Sequence, residues 1–219
     1  MRRSLLAPLV FIALTSVANS ETLSKTEVKS LLTRIRENRI THADFQEEKV
    51  IRLITRPILS SGKVWFQPPN RFRREVKGNS PSLTVSDGHQ LWLYYPNFKS
   101  AERYSLGVGS AVDSVVASIN SALNLENIES DFQVVAQKIG PQGGYELELT
   151  PRTASTKRMF QKLTMLINEK LETERTDMLQ PNGDRIVTIY SSQSRAPVPL
   201  STFEFSPPPG TSISTPLGR

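Results

Sequence analysis

The chain has 219 residues, with 27 lysines or arginines, 21 aspartates or glutamates, two histidines and no cysteine, and its formal net charge is +6. The lack of cysteine excludes disulfides, thiolate metal sites and cysteine nucleophiles. Two histidines leave little material for an imidazole-based zinc site, and we expect neither a metal nor a cofactor. The content of 37% hydrophobic and 22% charged residues is that of a globular protein.

The first twenty residues predict a cleaved signal peptide. Arg2 and Arg3 precede an apolar run over residues 5–17, and Ala18 and Ser20 are small residues suited to a cleavage point after Ser20. Removing two arginines lowers the net charge from +6 to +4, which does not indicate a nucleic-acid partner. No cysteine follows the cleavage point to carry a lipid anchor. We therefore expect residues 21–219 to form one soluble, exported domain.

The exported part begins with a predicted amphipathic helix over residues 24–38. Ser24 and Glu27 have the spacing of a capping box, and apolar residues then recur at helical intervals. Short runs of β-formers separated by turn residues follow. We predict ten strands, at residues 49–54, 62–66, 72–76, 83–86, 91–95, 132–139, 145–149, 163–167, 171–179 and 185–190.

Residues 107–125 interrupt the strands with apolar residues at helical spacing, and they predict a second amphipathic helix. Asp87-Gly88 and the segment Pro181 to Asp184 each predict a hairpin turn. About ten antiparallel strands with two helices predict a mainly β fold with α. Sequential hairpins must curl to bury an apolar face, so we expect an open, incomplete antiparallel β-barrel with the helices over its concave face.

Catalytic motifs are nearly missing from the sequence. Gly107-Val108-Gly109 lacks the third glycine of a dinucleotide fingerprint and has no surrounding βαβ unit. His89 follows a predicted turn, where it would be solvated, and His42 starts a strand near Asp44; neither has an evident orienting partner for a catalytic base. The acidic pair Glu47-Glu48 is interpreted as a solvated strand face. We expect a binding protein and no enzyme.

Two features leave alternatives open. Arg71 and Arg73 alternate with Phe72 and therefore share one strand face, which could meet phosphate or lipid headgroups or could guard an exposed strand edge. Apolar side chains on many strands could fill a packed core or could line a cavity for an apolar ligand. The candidate lining residues of such a cavity are Trp65, Phe72, Leu91, Leu93, Leu163, Met165 and Ile167.

Four segments resemble the LolA family, the periplasmic carriers of outer-membrane lipoproteins. The segment Ser86 to Pro96 (SDGHQLWLYYP) resembles the family's Ser-Asp-Gly-x-x-Leu-Trp-x-Tyr-x-Pro pattern. Residues 43–46 (ADFQ), 62–72 (GKVWFQPPNRF) and 203–210 (FEFSPPPG) are similar to further family stretches, in the same order. The resemblance covers residues 24 to about 214.

The resemblance implies a periplasmic location and an incomplete β-barrel closed by a helical lid, whose hydrophobic cavity takes the acyl chains of a lipoprotein. It implies cargo received from an inner-membrane ABC transporter complex and passed to an outer-membrane receptor like LolB, with no hydrolysis by the carrier. It assigns Phe72 to the transporter contact, and we expect a monomer.

This sequence departs from the family pattern at the lid. An arginine that holds the lid shut stands before the Pro-Asn pair in the family, and Pro68 stands there in this chain, so that lock is not carried over. Residues 56–62 and the strand Lys99 to Tyr104 also look unlike the best-known carriers, which favours a divergent member with another lipid cargo. The alternative is a periplasmic sensor of lipids or lipoproteins on the same fold.

Overall fold

The computed structural model describes residues 21–106, 128–140 and 143–216. The predicted signal peptide and the predicted helix at residues 107–125 lie outside the described residues. The remaining predictions of helices and strands can be compared directly with the structure.

In the described residues, twelve strands form one large, mainly antiparallel sheet in the order β12-β6-β5-β4-β3-β2-β1-β11-β10-β9-β8-β7. Within the described residues the two edge strands, β12 and β7, do not pair, which confirms the expected open barrel. Beyond the ten strands predicted from runs of β-formers, β6 corresponds to the expected strand Lys99 to Tyr104, and β12, which pairs with β6 in parallel, was not predicted. The strands are β1 (His42–Val50), β2 (Ile58–Gln67), β3 (Arg71–Lys77), β4 (Ser82–Asp87), β5 (Gln90–Tyr95), β6 (Ser100–Ser105), β7 (Phe132–Ile139), β8 (Gly144–Pro151), β9 (Lys162–Ile167), β10 (Thr173–Leu179), β11 (Arg185–Ser194) and β12 (Ser212–Ser214).

The predicted first helix is confirmed as α1 (Lys25–Glu37). The Ser24 side chain accepts a hydrogen bond from the Glu27 backbone N–H, and the Glu27 carboxylate accepts one from the Ser24 backbone N–H. This capping box satisfies amide groups that a helix start leaves without partners. The buried side of α1 carries Val28, Leu31, Leu32 and Ile35, the helical spacing that the sequence shows.

The prediction of a strand at residues 49–54 is wrong. The strand is β1, which ends at Val50, and residues 51–57 form the connection to β2. The pairing explains the end point, because Lys49 lies opposite both Ile58 of β2 and Ile186 of β11, close to the ends of both neighbours. The apolar run after Val50 has β-propensity but no partner strands with which to pair.

The remaining short elements lie around the sheet. Two further helices, Ile128–Asp131 and Ala154–Met159, were not predicted. A 3-10 helix, Leu200–Phe203, contacts β3 and β4. After it, the Phe205 ring packs against Trp92 and Tyr94 with ring centroids 5.7 and 5.4 Å apart. No helix of the described residues has the length and apolar content to cross a bilayer.

Candidate functional site

Side chains opposite each other on antiparallel strands project from the same face of a sheet. Following these pairs from strand to strand defines an inner face, part of which α1 covers, and an outer face. On the inner face, α1 packs against β7, β8 and β9 in a first apolar cluster, in which Leu32 and Leu147 are fully buried. Three of the predicted lining residues, Leu163, Met165 and Ile167, belong to this first cluster.

A second apolar cluster occupies the inner face of β1, β2, β3 and β5. Its buried members are Ile40, Ala43, Phe45, Val64, Phe66, Phe72 and Leu91, and Leu93 packs against it. Phe72 lies opposite Phe66 and Ser86 and is fully buried. Among the described residues, no helix residue contributes to this second cluster.

The structure therefore divides the seven predicted lining residues. Six lie on the inner face, three in each cluster. Trp65 lies on the outer face, opposite His42 of β1 and Arg73 of β3. Its sequence neighbours Val64 and Phe66 point inward. A cavity on the inner face would not include Trp65, and the lining role of the other six stays a prediction.

A polar group stands among these apolar side chains. Arg74, on the inner face of β3, forms an ion pair with Glu47 of β1 at 2.8 Å between Nη2 and Oε2. Both side chains are about four-fifths buried. The Arg74 guanidinium also lies 4.3 Å from the centroid of the Phe45 ring, a cation–π distance. The interpretation of Glu47 as part of a solvated face is thus wrong, since alternation along β1 turns it inward.

Glu47 also belongs to a row of polar side chains across four neighbouring strands. Thr176 of β10, Thr188 of β11, Glu47 of β1 and Ser60 of β2 lie successively opposite one another. The Ser60 hydroxyl donates to Oε1 of Glu47 at 3.4 Å, and the Thr188 hydroxyl donates to Oε2 at 3.3 Å. This polar row separates the first cluster from the second at this level of the sheet.

Gly62 makes the close packing around Arg74 possible. A Cβ atom at Gly62 would lie 1.7 Å from the carbonyl oxygen of Glu75 and 3.0 Å from the Phe45 ring. Only a glycine leaves room for β3 and for the aromatic ring that supports Arg74. Gly62, the first residue of the family-like segment 62–72, therefore has a steric role at this site.

Two tyrosines on the inner face hold their protons strongly. A hydrogen bond from the Tyr104 hydroxyl to the Glu102 carboxylate, at 2.5 Å, raises the pKa of Tyr104 to about 12, with burial as a lesser cause. Burial raises the pKa of Tyr190 to about 12. Both hydroxyls are neutral at physiological pH and can act as hydrogen-bond donors.

Arg71 and Arg73 share the outer face of β3, as their spacing predicts. The explanation that they guard a strand edge is wrong, because β3 pairs with β2 on one side and β4 on the other. Their guanidinium groups stabilise local structure. Arg71 donates to the Asp87 carbonyl at 3.1 Å, and Arg73 pairs with Glu75 and donates to the Thr202 carbonyl.

An open groove of about 680 Å³ crosses one end of β11, β1, β2 and β3. Its lining includes Leu59, Lys77 and Ile189, which are outer-face residues, together with inner-face residues such as Glu47. None of the seven predicted lining residues contributes to it. His89 is exposed, as expected for a residue after a turn. No group of three or more possible metal ligands occurs in the part of the chain that the structure describes.

Sequence reasoning missed the inward orientation of Arg74 and the polar row. The signal for Arg74 was present, because Phe72, Arg74 and Val76 alternate along β3 and must share a face. The polar row had no such signal, since it depends on the pairing of β1 with β11, far apart in sequence.

Comparison with known proteins places this architecture in a family. The model of the outer membrane lipoprotein carrier protein LolA family matches residues 38–206. An outer-membrane lipoprotein carrier protein of Legionella pneumophila (strain Lens) is 23% identical over 209 residues, covering 93% of this chain and 97% of the relative. One of Erwinia tasmaniensis is 25% identical over 174 residues, covering 78% of this chain and 79% of the relative.

An uncharacterized conserved protein from Thermus thermophilus shares the fold, with a TM-score of 0.54 at 15% identity, covering 86% of this chain and 99% of that one. A LolA superfamily protein from Nitrosomonas europaea superposes with a TM-score of 0.45 at 15% identity, covering 81% and 97%. The family model matches well over half of the residues, on an open antiparallel barrel with a helix over its inner face, and the chain belongs to the LolA family.

Proposed function

We propose that this protein is a soluble periplasmic carrier that shelters the acyl chains of a lipoprotein, or of another lipid, on the inner face of its sheet. Residues 1–20 would direct export, and residues 21–219 would form the single carrier domain that moves cargo from the inner to the outer membrane. The observation that supports this most directly is the second cluster, an apolar surface built from strand residues of an open barrel.

The chemistry of the inner face suits an amphiphilic ligand. Burial of each CH₂ group contributes about 0.8 kcal/mol, so one acyl chain would supply ample gross affinity. The ion pair of Arg74 and Glu47 borders the apolar surface and offers donors and acceptors to the polar part of a lipid. Binding and release of this kind require no covalent step, which accords with a carrier and not an enzyme.

The proposed partners are a lipoprotein or lipid cargo, an inner-membrane ABC transporter complex and an outer-membrane receptor of the LolB kind. Phe72 is the residue we assign to the transporter contact. Because its ring has no exposed surface, the contact requires that the ring first be uncovered. Cargo loading and transporter contact would then depend on the same opening of the inner face.

Native mass spectrometry of protein purified from the periplasm tests the carrier function. We expect a population with one bound lipid or lipoprotein, removable by detergent and restored by a diacylglyceryl lipopeptide. If the purified protein is reproducibly free of lipid and also does not bind the lipopeptide, the carrier proposal is wrong. Lipid that binds but is never passed to outer-membrane vesicles would favour the sensor alternative.

Two matched variants locate the binding surface. Leu93 is half-buried on the inner face of β5, and Leu166 is half-buried on the outer face of β9. Leu93→Asn should lower loading with the lipopeptide severalfold, whereas Leu166→Asn should leave it unchanged. Equal loading of the two variants would show that lipid does not bind on the inner face.

A further inference from the structure

The connection between β1 and β2, together with the strand ends that flank it, carries an unusual concentration of exposed apolar side chains. Ten large apolar side chains are exposed among the described residues, and five of them lie within residues 50–59. Leu53 is 93% exposed and Leu59 is 73% exposed. Isolated exposed apolar residues need no explanation, but five within ten residues indicate a contact surface. We call residues 50–59 the β1–β2 tip.

Hydrogen bonds hold the tip in this exposed arrangement. The Ile54 backbone N–H donates to the Ile51 carbonyl at 2.9 Å, which closes a turn with Leu53 at its outer position. The Arg52 backbone N–H donates to Oδ1 of Asp184 at 3.1 Å. Asp184 is itself buried, and its Oδ2 accepts from the Asn182 side chain at 3.0 Å. The neighbouring β10–β11 turn thus anchors the tip through Asp184.

The charged side chains within the tip are both basic, whereas Glu48 lies opposite Leu59 and the buried Asp184 accepts from the Arg52 backbone N–H. Lys49, Arg52 and Arg56 lie in or beside it, and no acidic residue occurs in the sequence between Glu48 and Glu75. Aliphatic side chains at a turn, with arginines and a lysine beside them, match the interface of a bilayer with anionic headgroups. The long stems of arginine and lysine let the aliphatic groups enter the acyl region while the cations stay with phosphate.

Another exposed apolar side chain lies at the same end of the sheet as the β1–β2 tip. Phe98, in the connection between β5 and β6, is 80% exposed. Four antiparallel pairings separate β1 from β5, so these two strands run in the same direction. The β1–β2 and β5–β6 connections therefore leave the sheet at the same end. The side chain of Asn97 also donates to the Asn79 carbonyl in the β3–β4 turn at this end, at 2.9 Å.

We propose that the β1–β2 tip is a membrane-docking element that inserts Leu53 and its aliphatic neighbours into the interface of an anionic lipid bilayer. Arg52 and Arg56 contact the headgroup phosphates. This surface goes beyond the proposed carrier function, because it lies apart from the inner-face clusters and would orient the protein on a membrane whether or not the inner face holds lipid.

Vesicle flotation with the full exported chain tests the docking element. The vesicles contain phosphatidylethanolamine with about one-third phosphatidylglycerol, or phosphatidylcholine alone. We expect the protein to float with the anionic vesicles and to be released by high salt. Leu53→Glu should reduce the bound fraction at least tenfold, and the double variant R52S/R56S should abolish the preference for phosphatidylglycerol.

Two controls separate docking from other causes of binding. Leu200→Glu changes the same residue type, 56% exposed, on the 3-10 helix over β3 and β4, and it should float like the unaltered protein. Leu93→Asn, on the inner face, should also float normally, so that failure of the carrier proposal does not imply failure of this one. Absence of flotation, equal binding to both vesicle types, or undiminished binding of Leu53→Glu would overturn the docking proposal.

Discussion

The ion pair between Arg74 and Glu47 is expected to contribute measurably to stability, unlike the exposed pairs of this protein. Its side chains are 23% and 21% exposed. Two unit charges about 4 Å apart attract by about 4 kcal/mol at an effective dielectric constant of about 20, and the desolvation of both groups offsets part of this. We expect Glu47→Gln alone to lower the free energy of unfolding by about 2 kcal/mol, because Arg74 then stays mostly buried without its counterion.

A double-mutant cycle isolates the pair. The variants are Arg74→Met, Glu47→Gln and both together, with the free energy of unfolding measured by urea denaturation. Arg74→Met keeps an unbranched apolar chain beside Phe45 while it removes the charge. The expected coupling free energy is about 1–2 kcal/mol, between the ranges for exposed and fully buried pairs.

The pair of Lys162 and Glu148 is the matched control. Its atoms are 2.6 Å apart, but the side chains are 46% and 47% exposed. The cycle of Lys162→Met and Glu148→Gln should give a coupling free energy below about 0.5 kcal/mol. If the coupling of Arg74 with Glu47 does not exceed that of this control, the reasoning from burial is refuted.

Two further predictions concern the same face of the sheet. Gly62→Ala should lower the free energy of unfolding by about 3 kcal/mol or more, because its Cβ would lie 1.7 Å from the Glu75 carbonyl oxygen and the strands must separate; a loss below about 1 kcal/mol in urea denaturation would contradict this. Tyr104 and Tyr190 have pKa values raised to about 12, so the unfolded chain ionises first and stability should fall as pH rises from about 10 to 12. Melting temperature against pH should show this fall, and Tyr104→Phe should flatten it; an unchanged slope would show that Tyr104 is not the cause.

Local patterns in the sequence predicted most of the elements. The alternation in residues 145–149 and 163–167 predicted β8 and β9, and the capping box with its apolar spacing predicted α1. Such elements were predictable because their period, caps and turn residues lie within a few residues of one another. β12 was not predictable, since three residues with exposed side chains acquire strand geometry only by pairing with β6.

The errors arose where distant pairing decides the structure. The apolar run after Val50 has the composition of a strand, but β1 stops where its partners end, and the same residues become the exposed tip. Trp65 appeared in the same set as Phe72 because both are large and lie on predicted strands. Their opposite faces follow from the register of β2 with β3, which no local pattern fixes.

The polar row also limits how a ligand can lie on the inner face. It crosses β10, β11, β1 and β2, between the cluster under α1 and the cluster on β1 to β5. An acyl chain that passed over it would cover the remaining exposed fraction of the Glu47 carboxylate and the Arg74 guanidinium with hydrocarbon. Removing the remaining water from an ion pair is costly even when its hydrogen bonds persist. Under the proposed function, the acyl chain therefore lies on the second cluster alone, and its polar end reaches the row at Arg74 and Glu47. A carrier with this division should prefer an amphiphile over a hydrocarbon of equal length, since only the amphiphile matches both surfaces.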